Sequence, residues 1–371
     1  DEIDIVALIL LRFGAHQILQ MRVPSHAALS ETVEIAKQYV SQGGVGFVNG
    51  VLRRISEKSI EAWREIVIGR CSSKAEELAV EFSHPIWVVR ALEHALKLDG
   101  RESELKDLLL ADNVAPLVSL VALPGQSNDH DTLGLIAGSA SPIGFELDSG
   151  DPALLPGVRD GALRVQDQGS QLAALALAHA HPAEPGEKWL DVCAGPGGKA
   201  ALLAAEAKLV SAQMFANEIT PHRAKLVEQA LQRVNPEVYV RVGDGRDLGD
   251  DAPESFDRIL LDAPCTGLGA LRRRPESRYR KAQSDVAQLA KLQRELFASA
   301  WKGLKTGGVL AYVTCSPHPN ETTAIIDWAQ KAYTSHLELI DTTAVLQELN
   351  PQLKTNPNLA LTEGRKTVQL W

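Results

Sequence analysis

The chain has 371 residues, 45% of them hydrophobic and 23% charged, with a formal net charge of −9. That length suffices for two or three domains, each burying its own core, and the composition is that of a globular protein rather than a disordered or fibrous one. No apolar run reaches the roughly 18 residues that span a bilayer, and the acidic balance argues against indiscriminate binding to a polyanion while leaving room for a local basic groove.

The chain opens at Asp1, inside an apolar helical pattern and without a signal peptide, so we expect the natural N-terminus to lie upstream. In "IVALILLRFGAHQILQM" apolar residues recur at helical spacing, "SHAALSETVEIAKQYV" offers Ser25 as a cap, and "GGVGFVNGVLRRI" adds a Gly break and another amphipathic helix. Residues 1–70 therefore read as an all-α bundle. Residues 71–160 are mixed: "HPIWVVRALEHALKL" is a Pro-led helix, "APLVSLVALPG" a short buried strand, and loops follow, which together suit a small connecting α/β subdomain.

From 161 to 371 strands and helices alternate. Strands are expected at 188–193, 210–217, 238–242, 258–262, 309–314 and, weakly, 337–341; helices at 169–180, 198–207, 220–233, 284–303 and 320–333. Apolar strands separated by amphipathic helices imply a doubly wound parallel sheet, with ligands at the carboxyl ends of its strands.

Three such ends carry groups suited to a nucleoside-bearing cofactor. "LDVCAGPGGKAALLA" is a strand, a Gly-rich turn and a helix start, with Gly195, Gly197 and Gly198 allowing close backbone approach. It lacks the spacing of a P-loop, and alone it is a weak signal. Glu218, twenty residues after Gly198, closes the next strand where an acid accepts bonds from ribose hydroxyls, and Asp244 in "VGDGRDL" follows at the third. NAD and S-adenosylmethionine both fit this much.

The cysteines separate the two. Cys71, Cys193, Cys265 and Cys315 are too few and too widely spaced for a disulfide framework, and no C-x-x-C pair suggests zinc; a reducing, cytoplasmic setting and no metal are expected. Nothing functional is indicated for Cys71, and Cys193 within a strand reads as core. Cys265 in "LLDAPCTG" and Cys315 in "AYVTCSPHPNE" instead sit where apolar strands stop. Hydride transfer has no evident need for two thiols there, whereas methylation of a cytosine at C5 does. That carbon is too weak a nucleophile until a thiolate adds to C6, and the adduct must afterwards be expelled. The chemistry needs a nucleophilic Cys, a carboxyl group at the base edge and a group assisting elimination; Asp262, Cys265 and Cys315 supply those types, and Lys199 is a cation that would favour the thiolate. The residues alone leave open which cysteine attacks.

On "DVCAGPGGK", "ANE", "GDGRDL", "LLDAPCTGLGALRRRPESRYR", "LKTGGVLAYVTCSPHPNE" and the preceding "VQDQGSQLAALAL", the chain resembles the RsmB/Sun (Fmu) branch of the RNA 5-methylcytosine methyltransferases. "FVNGVLRRI" resembles the NusB-like RNA-binding domain that this branch carries at its N-terminus. The resemblance implies a Rossmann-like class I methyltransferase fold with a seven-stranded sheet. It also implies rRNA processing, with a cytosine of small-subunit (16S) rRNA as substrate and S-adenosylmethionine as cofactor. It places the attacking thiol at Cys315, the releasing one at Cys265 and the base-contacting acid at Asp262. Cofactor contacts fall on Cys193, Ala194, Gly195, Pro196, Gly197, Gly198, Lys199, Glu218, Arg223, Asp244 and Asp262. Two departures stand out: Ala-Gly-Pro replaces the usual Ala-Ala-Pro, and the chain stops at "TVQLW", before an expected terminal Phe-rich strand.

Between Leu271 and Lys281 stand Arg272, Arg273, Arg274, Arg278, Arg280 and Lys281 against the single acid Glu276. A charge run is most often a solvated face, but this one follows Cys265 directly and is positioned to hold phosphates of a single-stranded or splayed-out RNA. No protein partner is indicated, and a monomer is expected. A methyltransferase acting on another RNA, on DNA or on a small molecule, and a noncatalytic RNA-binding assembly factor, are the rival readings.

Overall fold

The computed structural model describes residues 3–355, 359–360 and 366–371. They form two units, Asp1–Ile86 and Trp87–Trp371.

The first unit is all helical. Helices Ile5–Gln20, Ser25–Tyr39 and Gln42–Ser56 pack around Ala7, Leu10, Leu11, Ala36, Val48 and Leu52. Asp4 caps the first, its Oδ1 accepting from Val6 N and Ala7 N, both at 3.0 Å. Gly14 permits the close approach of the third: a Cβ there would lie 2.7 Å from Leu52 Cδ1. The expected Ser25 cap is displaced by one residue. Pro24 occupies the cap position without a side-chain bond, and Ser25 begins the helix.

In the second unit, β1 (Val118–Ala122), β2 (Ile136–Ala137), β3 (Gly144–Leu147) and β4 (Leu163–Val165) form an antiparallel sheet in the order β2-β3-β1-β4. The central sheet contains β5 (Lys188–Asp191), β6 (Gln213–Glu218), β7 (Tyr239–Val242), β8 (Phe256–Asp262) and β9 (Leu304–Val313), all parallel, in the order β7-β6-β5-β8-β9. The chain thus winds outward from β5 through β7 and then returns to the other side of β5, which puts the switch point between β5 and β8.

Both faces of this sheet are covered, and the strands alternate between two cores. Leu260 packs with Trp189, Ala204 and Val227 on one side; Ile259 and Leu261 pack with Leu190, Leu296 and Phe297 on the other. The expected doubly wound α/β fold is therefore present, its strands within a few residues of their predicted bounds. Two expectations differ. Five parallel strands are described where seven were implied, and residues 337–340 form no strand: Leu337 N turns back to Tyr333 O at 2.9 Å. Thr342 N bonds Lys366 O at 3.0 Å, and the short β10 (Leu359–Ala360) and β11 (Gln369–Leu370) pair with one another away from the central sheet.

Candidate active site

The switch point gathers the Gly-rich turn, Glu218, Asp262 and both strand-end cysteines. After β5 the chain turns through Cys193–Gly198 into the helix Gly198–Leu209. Gly197 has φ +105°, and a Cβ on it would lie 2.6 Å from Ala230 Cβ, so only glycine is comfortable there. Glu218, 2% exposed, accepts from Gly195 N at 3.0 Å and Thr220 N at 2.9 Å. Arg223 donates to Gly195 O and stands 3.5 Å from Glu218 Oε2, so Gly195, Glu218 and Arg223 form one cluster. Asn217 binds these strand ends together, donating to Val192 O at 2.9 Å and Gly243 O at 3.1 Å.

Asp244 stands apart from that cluster. Arg246 grips both of its oxygens and holds its carboxyl below the usual range, and Arg246 reaches on to Glu295 at 3.1 Å. Cys193 is buried enough to push its thiol far up, which removes it as a thiolate and agrees with its reading as packing.

Lys199, in the first turn of its helix, crosses to β8 and pairs with Asp262 at 2.8 Å. Burial pulls the lysine pKa down, but the Asp262 charge and hydrogen bond outweigh it and the net shift is upward. Below this pair lies Asp191, 1% exposed, whose carboxyl rises to about 7 through burial and the neighbouring Asp262.

Cys265 and Cys315 follow β8 and β9, which run in register with Asp262 opposite Val313. Their sulfurs are 3.3 Å apart, as free thiols in contact. Cys315 is the more exposed. Its pKa is lowered, first by the hydrogen bond from Cys265 and further by Lys199, against burial and Asp262; that of Cys265 is raised, first by its bond to Cys315 and then by burial. The two thiols act as a pair in which Cys315 is the one favoured to ionise.

Polar groups that the sequence did not single out hold these two loops. Gln293, wholly buried, donates to Pro264 O at 2.9 Å, and Glu321, also wholly buried, accepts from Thr266 N at 2.8 Å. Thr266 Oγ1 lies 2.9 Å from Ser316 Oγ. Glu321 and Thr266 lie within a few positions of a cysteine, but Gln293 stands 28 positions after Cys265 and carried no sequence signal.

The basic stretch divides into two sets. Arg278, 4% exposed, donates to Asn113 Oδ1 at 2.8 Å and Asp112 O at 2.7 Å. Arg273 donates to Asp167 Oδ2 at 2.6 Å and Ser119 Oγ at 2.9 Å, and Arg272 to Val114 O at 3.0 Å. These three fasten the segment to residues 112–119. Arg280 is held only loosely, 3.9 Å from Glu276, and no ion pair among the described residues holds Arg274 or Lys281. A concavity of about 2660 Å³ joins Lys199, Asp262, Cys265 and Cys315 to Arg274 and Lys281. Small-molecule pockets are roughly 300–1,000 Å³, so this groove has room for a macromolecular strand. Among the described residues no cluster of His, Cys, Asp and Glu could hold a metal, and no helix is long and apolar enough to cross a membrane.

Two observations test the fit of S-adenosylmethionine. A Cβ on Gly195 would lie 2.3 Å from Glu218 Oε2, so the loop is glycine-tight against the acid. Gln166 Oε1 is buried without a partner among the described residues, and Gln166 Cδ lies 3.9 Å from where a Cβ on Gly198 would sit. A free acceptor beside a helix amino end suits a ligand carrying an ammonium and a carboxylate together, as the methionine end of the cofactor does. The residues fit.

Comparison with known proteins agrees over the whole length. Residues 178–364 match the model of the 16S rRNA methyltransferase RsmB/F family, and residues 1–57 match the NusB family. A Mycobacterium tuberculosis relative that carries a provisional methyltransferase name is 42% identical over 100% of this chain and 78% of its own. The ribosomal RNA small subunit methyltransferase B of Citrobacter koseri is 35% identical over 84% of this chain and 71% of its own. A methyltransferase homologue from Pyrococcus horikoshii has the same fold, with a TM-score of 0.59 at 22% identity over 71% of this chain and 84% of that one. A region matching NusB thus precedes a methyltransferase sheet, and the chain belongs to the RsmB/F family of S-adenosylmethionine-dependent rRNA methyltransferases.

Proposed function

We propose that this enzyme methylates C5 of a cytosine in 16S rRNA through a covalent bond between Cys315 and C6 of the base. The observation that carries the reading is the pair of thiols 3.3 Å apart beside the Lys199–Asp262 ion pair. When bound, S-adenosylmethionine supplies an electrophilic methyl group. The loop from Cys193 to Gly198, with Lys199, Glu218, Arg223, Asp244, Asp262 and the free acceptor of Gln166, would hold it.

The rest falls to this chain's own groups. The Cys315 thiolate adds to C6, and the electron pair of the C5–C6 double bond is pushed toward C5. Asp262 would accept a hydrogen bond at the base edge, and the ammonium of Lys199, 2.8 Å from it, supplies the positive charge that opposes the negative charge developing on the ring. After methylation the C5 proton is lost to solvent, the C5–C6 double bond re-forms and the C6–S bond breaks. A sulfur leaving as thiolate is helped by a hydrogen-bond donor, and the Cys265 S–H is in contact with it. Arg274, Arg280 and Lys281 would hold phosphates along the groove, while Arg272, Arg273 and Arg278 keep their segment in place.

Nucleoside analysis of 16S rRNA after incubation with enzyme and cofactor tests this. The expected product is 5-methylcytidine, absent with Cys315→Ala; a different methylated nucleoside, or an undiminished yield from the variant, would contradict it.

A further inference from the structure

Glu321 is a carboxylate with no solvent exposure, outside the cofactor rim, and the mechanism above leaves it unused. We propose that Glu321 is a positioning residue that assigns the two thiols their separate parts: it latches the Cys265 loop to the Cys315 loop and sets its negative charge on the Cys265 side. Only the catalytic consequence rests on the function proposed above.

The latch is continuous. Glu321 accepts from Thr266 N at 2.8 Å and from the Thr266 hydroxyl, and Thr266 directly follows Cys265. The same hydroxyl lies 2.9 Å from Ser316 Oγ, and Ser316 directly follows Cys315. On the other flank of Cys265, Pro264 O accepts from Gln293 Nε2 at 2.9 Å, and Nε2 also lies 3.4 Å from Glu321 Oε1. Tyr312 OH closes the cluster, donating to Glu321 O at 2.7 Å with Gln293 Oε1 at 3.1 Å. Both residues adjoining Cys265 are thus fixed relative to Glu321, and the residue after Cys315 is tied in through one hydroxyl.

The charges around the pair are lopsided. Cys265 meets Cys315, Glu321 and Tyr312, with the Gly267 amide opposing them. Cys315 meets Cys265, Asp262 and Lys199. Glu321 itself faces Tyr312 and His318, with Arg294 near Tyr312. Cys315 thus has an anion and a cation beside it, Asp262 and Lys199, which oppose one another, whereas Cys265 has the anion Glu321 and no cation among these groups. The proton shared between two sulfurs 3.3 Å apart is therefore placed on Cys265. Two equivalent thiols would leave attack and release unassigned.

The test needs neither RNA nor cofactor. Iodoacetamide labelling across a pH series, with each cysteine quantified by mass spectrometry, reads both thiolates directly. In wild type Cys315 should label faster than Cys265 at pH 7.5, by about tenfold. Glu321→Gln keeps the size and an acceptor for Thr266 N but removes the charge. It should speed Cys265 labelling several-fold and shrink that ratio, while Glu321→Ala should bring it near one. An unchanged ratio in a folded Glu321→Gln protein, checked by thermal melting, would overturn the proposal. Should that variant not fold, faster labelling of Cys265 than of Cys315 in wild type would overturn it alone. Because labelling is independent of methylation, an inactive wild type with the predicted asymmetry would sink the proposed reaction and leave this inference standing.

Discussion

The sulfur of Cys265 touches that of Cys315 at 3.3 Å, although 50 residues separate them in the chain. The contact is a product of topology. Strands β8 and β9 are parallel neighbours in register, so whatever follows Asp262 and Val313 must emerge side by side. Each loop alone is an ordinary strand-to-helix connection, and only their adjacency makes a reactive pair.

In the proposed reaction Lys199 is the cation that favours the Cys315 thiolate, and it also pairs with Asp262 at 2.8 Å. Lys199→Met would leave a carboxylate in a largely buried site without its partner, at a cost of about 3 kcal/mol. It should also raise the Cys315 pKa and slow its labelling at neutral pH by up to about tenfold. Thermal melting and iodoacetamide kinetics check the two effects separately.

The basic stretch makes a contrasting pair of predictions. Arg278→Ala removes bonds to Asn113 and Asp112 from a buried site and should destabilise the second unit by about 2–3 kcal/mol. Lys281→Ala and Arg274→Ala should leave the melting temperature unchanged and weaken RNA binding at every sequence. Each should reduce the salt slope by about 1. Melting curves alongside binding titrations at several salt concentrations distinguish staples from phosphate contacts.

Much of this was legible in the sequence, because parallel strands buried on both faces read as continuous apolar runs bounded by polar ends. "RILLDAP" and "VLAYVTC" gave both the strands and the cysteines that end them. What escaped notice was the second layer. Asn217, Gln293 and Glu321 are buried polar residues whose partners lie 25, 29 and 55 positions away, and no local pattern announces such a bond. The internal bonds of the basic stretch were hidden for a related reason: charge can be counted from sequence, but whether a guanidinium also meets a carbonyl, as those of Arg272 and Arg278 do, depends on what folds against it. Ser25 lost its cap position to Pro24, and the expected strand at 337–341 found no ladder in the central sheet.

Asp191 predicts an unusual pH response. Its folded pKa, about 7, lies above the unfolded value near 3.9, so the folded state holds the proton more tightly. The stability this group contributes is therefore present at low pH and lost as pH rises between those two values. Asp191→Asn keeps an acceptor for Cys193 N and avoids the loss. The variant should melt higher than wild type at pH 8, with the difference shrinking as pH falls through 7 toward 4. A difference independent of pH would contradict the assignment.

The central claim, that Cys315 attacks and Cys265 releases, is tested most directly by trapping the adduct. Wild type, Cys265→Ala and Cys315→Ala would each be incubated with 16S rRNA and S-adenosylmethionine, then run on a denaturing gel. A protein–RNA species should accumulate with Cys265→Ala and be absent with Cys315→Ala. Accumulation with Cys315→Ala instead would exchange the two roles, and no adduct with either variant would contradict the covalent mechanism.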